Sequence, residues 1–326
     1  MAFLRYRSND GWSFQLGRMV LDTFLLSDHR DVGYSYHTVR PQAEFYAWIP
    51  YSHYDGVKTS FEFGDFDNLV RFEAFVGKAK ATVNIGYLDT ETSYNYAKAS
   101  PIVGMGVTWE KDDFTLRASI ARFRFTQDTA AIKALNDNVS GIPIEGPFAW
   151  PGAQDIADEY VIEGKEVTYG SIGVLWTPGP WLIQSEFSDV NSKNFGNYDG
   201  QRLYLQVGRR FGEFLPYMTY AYSWDDREFP FDPPPELGNE LAGLFLGSPE
   251  QQLQQLDGVR DAYSDLYTAL SDNLYSGLMD QRSIGLGVRW DFASQKALKL
   301  QCDYATLEDG ALGIYPTQDT PEYGKR

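Results

Sequence analysis

The chain has 326 residues, of which 43% are hydrophobic and 16% aromatic, with 30 Gly and 22 Tyr; aromatic side chains fit a pleated surface and Gly serves connections, so the composition favours strands over helices. A formal charge of -17 excludes nucleic acid as partner, because phosphate binding needs a clustered basic surface. The single Cys302 excludes an intramolecular disulfide, and three scattered His with no CxxC exclude a recognisable zinc pattern, so no metal and no cofactor is expected.

No run of about 20 apolar residues is present, so no transmembrane helix is expected. A transmembrane strand needs only about 9 to 11 residues with one apolar face, which leaves the mean hydropathy negative. No signal peptide precedes the first strand pattern; for an exported chain the leader would be missing or removed.

In chain order, segments 2–8 and 11–18 read as two strands around Ser8-Asn9-Asp10. Leu4, Tyr6, Trp12, Phe14 and Leu16 share one side, and Arg5, Arg7 and Gln15 the other. Arg18 breaks the parity, as a bulge or a snorkelling side chain would. A long connection, 19–55, follows. Strands at 56–64 and 68–78 flank Gly64-Asp65-Phe66-Asp67, and after a long connection at 79–100 strands at 101–110 and 113–125 flank Lys111-Asp112. Here Val103, Met105, Val107 and Trp109 alternate with Gly104, Gly106 and Thr108. The pattern repeats with a long connection at 126–165, strands at 166–176 and 181–189, a connection at 190–200, and strands at 201–211 and 215–224. The longest connection, 225–280, contains a helix. Ser248 is its N-cap, Pro249 its first residue and Glu250 lies in its first turn, and Leu253, Leu256, Val259, Tyr263, Leu266 and Leu270 recur at three or four. Strands at 281–292 and 296–306 close the series, with Ile284, Leu286, Val288 and Trp290 against Ser283, Gly285, Gly287 and Arg289.

These are about twelve strands whose connections alternate strictly between short and long. A membrane barrel has tight turns on one side and long loops on the other, whereas a soluble sandwich has no reason to segregate them. Lipid would cover the apolar face, with Trp at the interface. The opposite face gathers Arg5, Arg7, Gln15, Glu62, Arg71, Glu73, Arg117, Gln184, Glu186, Arg202, Gln206, Arg210, Arg289, Lys299, Gln301 and Asp303, mildly basic in a strongly acidic chain. In a tube, such charges set the potential of a water-filled passage. Barrels of this type have an even strand count with both ends on the short-turn side, so strands are expected to be absent at both ends. Three before and one after would complete about sixteen.

In that register 19–55 is the loop between strands five and six. "LRYRSNDGWSFQLGRM" followed by "SDHRDVGYSYHTVRP" resembles the Gram-negative general-porin-like family, whose members carry a GR strand and then an SD…DVGY-Y…VRP loop; "GRRFGEFLPYMTYAYSW" is similar in style. The chain departs from the family at His37-Thr38, where Pro-Trp is usual. The resemblance implies an inward-folded constriction loop whose acids oppose wall arginines. Asp28, Asp31 and Glu44 would be the loop acids, with Arg30 and Arg40 beside them, and Arg5, Arg7 and Arg71 the opposing wall. It also implies a homotrimer.

The expectation is therefore an all-β, transmembrane antiparallel β-barrel of the sixteen-stranded porin type, a single outer-membrane domain over 1–326. It would pass small hydrophilic solutes and ions through a pore lined also by Glu62, Glu73 and Arg117, and contact outer-membrane lipid and lipopolysaccharide. The carboxylates of 225–280 read as a solvated face, and its helix shields the mouth or acts as a receptor surface. No nucleophile elbow, phosphate loop or haem motif points to catalysis. The alternatives are a substrate-specific channel and, from other classes, a soluble carbohydrate-binding β-protein or an outer-membrane hydrolase.

Overall fold

A computed structural model describes residues 1–29, 31–47, 49, 51–65, 67–84, 94–128, 130–192, 199–225, 232–275 and 280–307. Its strands are β1 (Ala2–Arg7), β2 (Trp12–Val20), β3 (His53–Gly64), β4 (Asn68–Asn84), β5 (Tyr94–Lys111), β6 (Phe114–Phe125), β7 (Glu166–Trp176), β8 (Trp181–Asn191), β9 (Gly200–Arg209), β10 (Phe214–Trp224), β11 (Gln281–Ala293) and β12 (Lys296–Leu307). They form one antiparallel meander in which each strand pairs with the next. The sheet is not closed: among the described residues β1 and β12 are its edges. No helix among the described residues is long and apolar enough to cross a membrane, which says nothing of crossing by strands.

Period-two alternation decides which face each side chain takes. On β2, Trp12, Phe14 and Leu16 are exposed while Ser13 and Gln15 are buried. Met105 at 62%, Leu286 at 61% and Leu300 at 72% show how open the apolar face is. Trp12, Trp109, Trp176, Trp181 and Trp290 all stand on that face at the short-turn ends of their strands, where Trp12 meets Phe61 (4.9 Å) and Trp290 stacks on Phe214 (5.5 Å). The tight turns need particular backbones. Gly11 has φ 85°, and a Cβ there would meet the Glu62 carbonyl oxygen at 2.3 Å. On the opposite face glycine makes room for rings: a Cβ on Gly104 would lie 2.3 Å from Phe75, and one on Gly287 2.3 Å from Tyr217.

Three expectations need correction. The strands on either side of the 79–100 connection run on to Asn84 and from Tyr94, pairing to the end. The pairing of β5 with β6 shifts between Ala99 and Ile102, so one extra residue breaks the period at Ser100-Pro101, where the reading stopped. Arg18 needs no bulge: it keeps the outward parity of β2, opposite Asp55, and bonds that carboxylate through Nε (2.7 Å) and Nη2 (2.8 Å).

The 126–165 connection holds two helices, α2 (Ala130–Ser140) and α3 (Gly152–Tyr160), that no sequence pattern announced. The 225–280 connection holds a 3-10 turn at Asn239–Leu244 and the expected helix, α4 (Pro249–Tyr275). Ser248 and Gln251 cap α4 reciprocally, Ser248 N–H donating to Gln251 Oε1 (2.9 Å) and Gln251 N–H to Ser248 Oγ (3.4 Å). Val139, Trp150, Ala153, Ile156 and Leu270 form a core across α2, α3 and α4, flanked by Tyr263, Leu266 and Tyr267. The two connections thus form a small helical cap, and the short α2 and α3, which cannot persist alone, are held by this packing.

Candidate functional site

The segment between β2 and β3 does not project outward. It turns back over the polar face of the sheet, and a short helix, α1 (Ala43–Tyr46), lies against β9 and β10. Phe24 drives this. It is buried edge-on against Phe45 (4.9 Å), Tyr46 (5.3 Å) and Tyr169 of β7 (5.4 Å).

Polar joints follow the chain from there. Asp22 lies 3.1 Å from Lys58 of β3 and 2.8 Å from Arg117 of β6. Glu73 of β4 meets the same two cations at 2.6 and 3.2 Å. Two carboxylates and two cations thus share one largely buried joint between loop and wall. The Thr23 carbonyl accepts from Ser119 Oγ (2.6 Å) and Ser171 Oγ (2.7 Å). Glu186 of β8 accepts from Leu25 N–H (2.8 Å), from Tyr204 OH (2.6 Å) and from Tyr46 OH. Glu44 accepts from Gln281 Nε2 (2.6 Å).

The far part of the loop is held by cations under its carbonyls. Arg289 Nη1 donates to Tyr34 O (2.9 Å) and Tyr36 O (3.0 Å) and stacks on the Tyr34 ring. Lys299 Nζ donates to Gly33 O, Tyr36 O and Thr38 O and sits over the Tyr36 ring. Val39 N–H donates to Gln301 Oε1 (3.1 Å), and Arg40 reaches Asp303 at 3.4 Å. His37 is held here in its neutral form. Burial first, and then the Arg289, Arg210 and Lys299 charges, lower its pKa to about 4, with Asp291 pulling the other way. The hydrogen bond with Asp28 raises the His29 pKa and lowers that of Asp28, against partial burial of both.

The expected opposition of Arg5, Arg7 and Arg71 to Asp28 and Asp31 is not what forms. Asp28 bonds its neighbour His29, and Arg71 bonds Glu62 on the adjacent strand (2.7 Å), wall to wall. Glu44 is buried against β11 because the α1 turn points it at the sheet. Arg117, expected to line the passage, is 7% exposed because the loop covers it. Arg5 and Arg7 are exposed on the loop-covered face of β1, and Asp31 is exposed on the loop. Arg40 meets Asp303, and Arg30 lies outside the described residues.

Asp22 and Lys58 were missed. Lys58 is in phase with Gly56, Ser60 and Glu62, so alternation alone could have found it. Asp22 follows the strand and has no periodic signal. Of the eight bases gathered on the polar face, Arg71, Arg117, Arg202, Arg210 and Arg289 all have carboxylate partners, and Lys299 is bonded to carbonyls. Chemically the face offers matched charge and hydrogen-bonding groups, suited to hydrated solutes. Among the described residues no group of three His, Cys, Asp or Glu is placed to hold a metal ion.

No protein-family model matches the chain, and no curated protein matches it in sequence. Among solved structures it is similar to OmpF of Salmonella typhi in complex with daunomycin, with TM-score 0.50 and 13% identity over 95% of this chain and 71% of that one. It is also similar to a loop L8 deletion mutant of OmpT, an outer membrane protein of Vibrio cholerae, with TM-score 0.46 and 12% identity over 93% of this chain and 72% of that one. A third is the outer membrane channel DcaP of Acinetobacter baumannii, with TM-score 0.42 and 10% identity over 90% of this chain and 64% of that one. At 13% identity the first likeness is one of fold: twelve antiparallel strands of the outer-membrane barrel type in a sheet that is not closed.

Proposed function

We propose that the chain is a porin-like channel of the Gram-negative outer membrane, through which small hydrophilic solutes and ions diffuse passively. One observation carries the reading: the sheet is divided into an exposed apolar face edged by Trp at the short-turn ends, and a charged face onto which loop 21–52 folds. Exposed Met105, Leu286 and Leu300 would be an aggregation hazard in water and are at ease against acyl chains. Trp with its N–H suits the lipid–water interface.

In this reading residues 1–326 belong to one barrel, and the resemblance to general porins extends to a homotrimer. Loop 21–52 narrows the passage, and the Asp22, Lys58, Glu73 and Arg117 joint holds it at that width. Because most wall charges are matched, selectivity is weak, and the exposed Arg5, Arg7 and Asp31 contribute to its sign. Catalysis has no part in it.

The test is single-channel conductance in a planar bilayer with a salt gradient, using protein refolded in detergent. Stepwise openings with flux linear in solute concentration support passive diffusion. Saturable flux would point instead to a substrate-specific channel, and a chain that stays monodisperse in plain buffer without conductance would overturn the membrane reading.

A further inference from the structure

Beneath the far part of the loop, at the short-turn end of β11 and β12, lies a cavity of about 470 Å³. The loop supplies Tyr34 and Val39 to its lining, and the hairpin of β11 and β12 supplies Phe292, Gln295, Lys296 and Lys299. Its size falls within the usual range for small-molecule sites. A bulge shapes the hairpin side. The pairing of β11 with β12 shifts between Trp290 and Ala293, and such an irregularity re-aims a side chain. Here Phe292 lines the cavity while its ring stays in contact with Trp290 (5.4 Å).

The lining restricts what fits. Tyr34 and Phe292 are each 46% exposed, so ring surface is left for a ligand, although the Arg289 guanidinium already sits over the Tyr34 ring at 4.7 Å. Lys296 and Lys299 bring two positive charges, and among the described residues neither has a carboxylate partner. Lys299 donates to backbone carbonyls of the loop, and Lys296 is exposed in the turn. Asp291 on the same hairpin is bonded to both Arg289 and Arg210. Arg210, Arg289, Lys296 and Lys299 therefore stand here against Asp291 and Glu213, a local positive excess in a chain of net charge -17. The loop registers that excess, since Arg289, Arg210 and Lys299 help to keep His37 neutral.

We propose that this cavity is a binding site for a small aromatic carboxylate, its ring against Tyr34 and Phe292 and its carboxylate beside Lys296. The inference deepens the channel reading and rests on it, because it names a class of solute that the passage would hold at its short-turn end. An anion without a ring would leave the aromatic lining wet, and a ring without a charge would leave the ammonium groups without a counter-charge.

The experiment is ligand-observed NMR of the detergent-refolded protein titrated with benzoate, with benzyl alcohol and with acetate. The parent is expected to bind benzoate more tightly than either of the others. Lys296→Gln should weaken benzoate about two- to fivefold, as for an exposed ion pair, and leave benzyl alcohol unchanged, while Lys296→Arg should restore the parent affinity. Tyr34→Leu should weaken benzoate and benzyl alcohol alike, by on the order of fivefold. Benzoate binding no tighter than acetate or benzyl alcohol in the parent, or undiminished in Lys296→Gln, would overturn the proposal. Lys296 lies in an exposed turn, so its variants keep the test decisive should Tyr34→Leu fail to fold. Conductance is recorded separately: a conducting protein with no preference for benzoate removes this inference alone, whereas a protein that binds benzoate and does not conduct removes the channel reading.

Discussion

The Asp22 carboxylate on the inward loop lies 2.8 Å from the Arg117 guanidinium of β6. Loop and wall meet at this pair, and Lys58 and Glu73 complete it from β3 and β4. Breaking a buried pair by removing one partner leaves an uncompensated charge and typically costs about 3 to 5 kcal/mol. Asp22→Asn is therefore expected to lower stability toward the low end of that range, since Glu73 still faces both cations. It should also move the reversal potential toward anions. Thermal melting in detergent and bilayer recording check both; a reversal potential unchanged or shifted toward cations would show that the joint does not face the passage.

Glu186 collects three donors, Leu25 N–H and Tyr46 OH from the loop and Tyr204 OH from β9. Leaving buried donors without a well-placed acceptor costs about 1 to 3 kcal/mol. Glu186→Gln is expected to cost an amount in that range, and amide exchange at Leu25 should speed up while the strands away from the loop keep their protection. Unchanged exchange at Leu25 would rule out this carboxylate as an anchor.

Loop docking should depend on pH through His37, whose pKa falls from 6.5 to about 4 on burial beside Arg289, Arg210 and Lys299. Between those values the undocked loop binds more protons than the docked one, so docking weakens as pH falls from 6.5 toward 4, by at most roughly 3 kcal/mol. His29 acts in the opposite sense. Its pKa is raised by Asp28, so its contribution is complete below 6.5 and is lost as pH rises through the shifted value. Protection factors over residues 33–40, with the intrinsic pH dependence of amide exchange divided out, should therefore fall in acid, and His37→Gln should flatten that response. Equal protection factors of the parent at pH 4 and 7 would contradict it.

Trp150 is 1% exposed at the centre of the helical cap, in ring contact with Tyr263 (5.8 Å) and Tyr267 (6.1 Å). Trp150→Ala leaves a large cavity, of the kind that costs about 3 to 5 kcal/mol. That exceeds what a cap of two short helices and α4 can spare, so limited proteolysis should cut within 126–165 and 225–280 while the strands stay intact. Cap segments as resistant as in the parent would show that another contact holds them.

The sequence by itself determined the strands, their order and the face each side chain takes, and its resemblance to the general-porin-like family implied the inward loop. A period of two and the turn residues are local, and an apolar face such as Ile284, Leu286, Val288 and Trp290 can be read without knowing its neighbours. Even the α4 start was legible, since Ser248, Pro249 and Glu250 act within one turn, whereas the reciprocal cap from Gln251 was not read. One extra residue interrupts the period at Ser100-Pro101, and beyond it alternation no longer marks β5. Only the tertiary structure decided the site. Asp22 meets Arg117 across 95 residues, and nothing local marks it apart from Asp28, which bonds the residue beside it. The α2 and α3 helices were invisible for the same reason: their stability comes from Trp150 and Leu270, brought together from two separate connections. Periodicity records which way a side chain points, whereas the partner it finds there depends on how far the chain folds back, and that is set by the packing of Phe24 and α1 against the sheet.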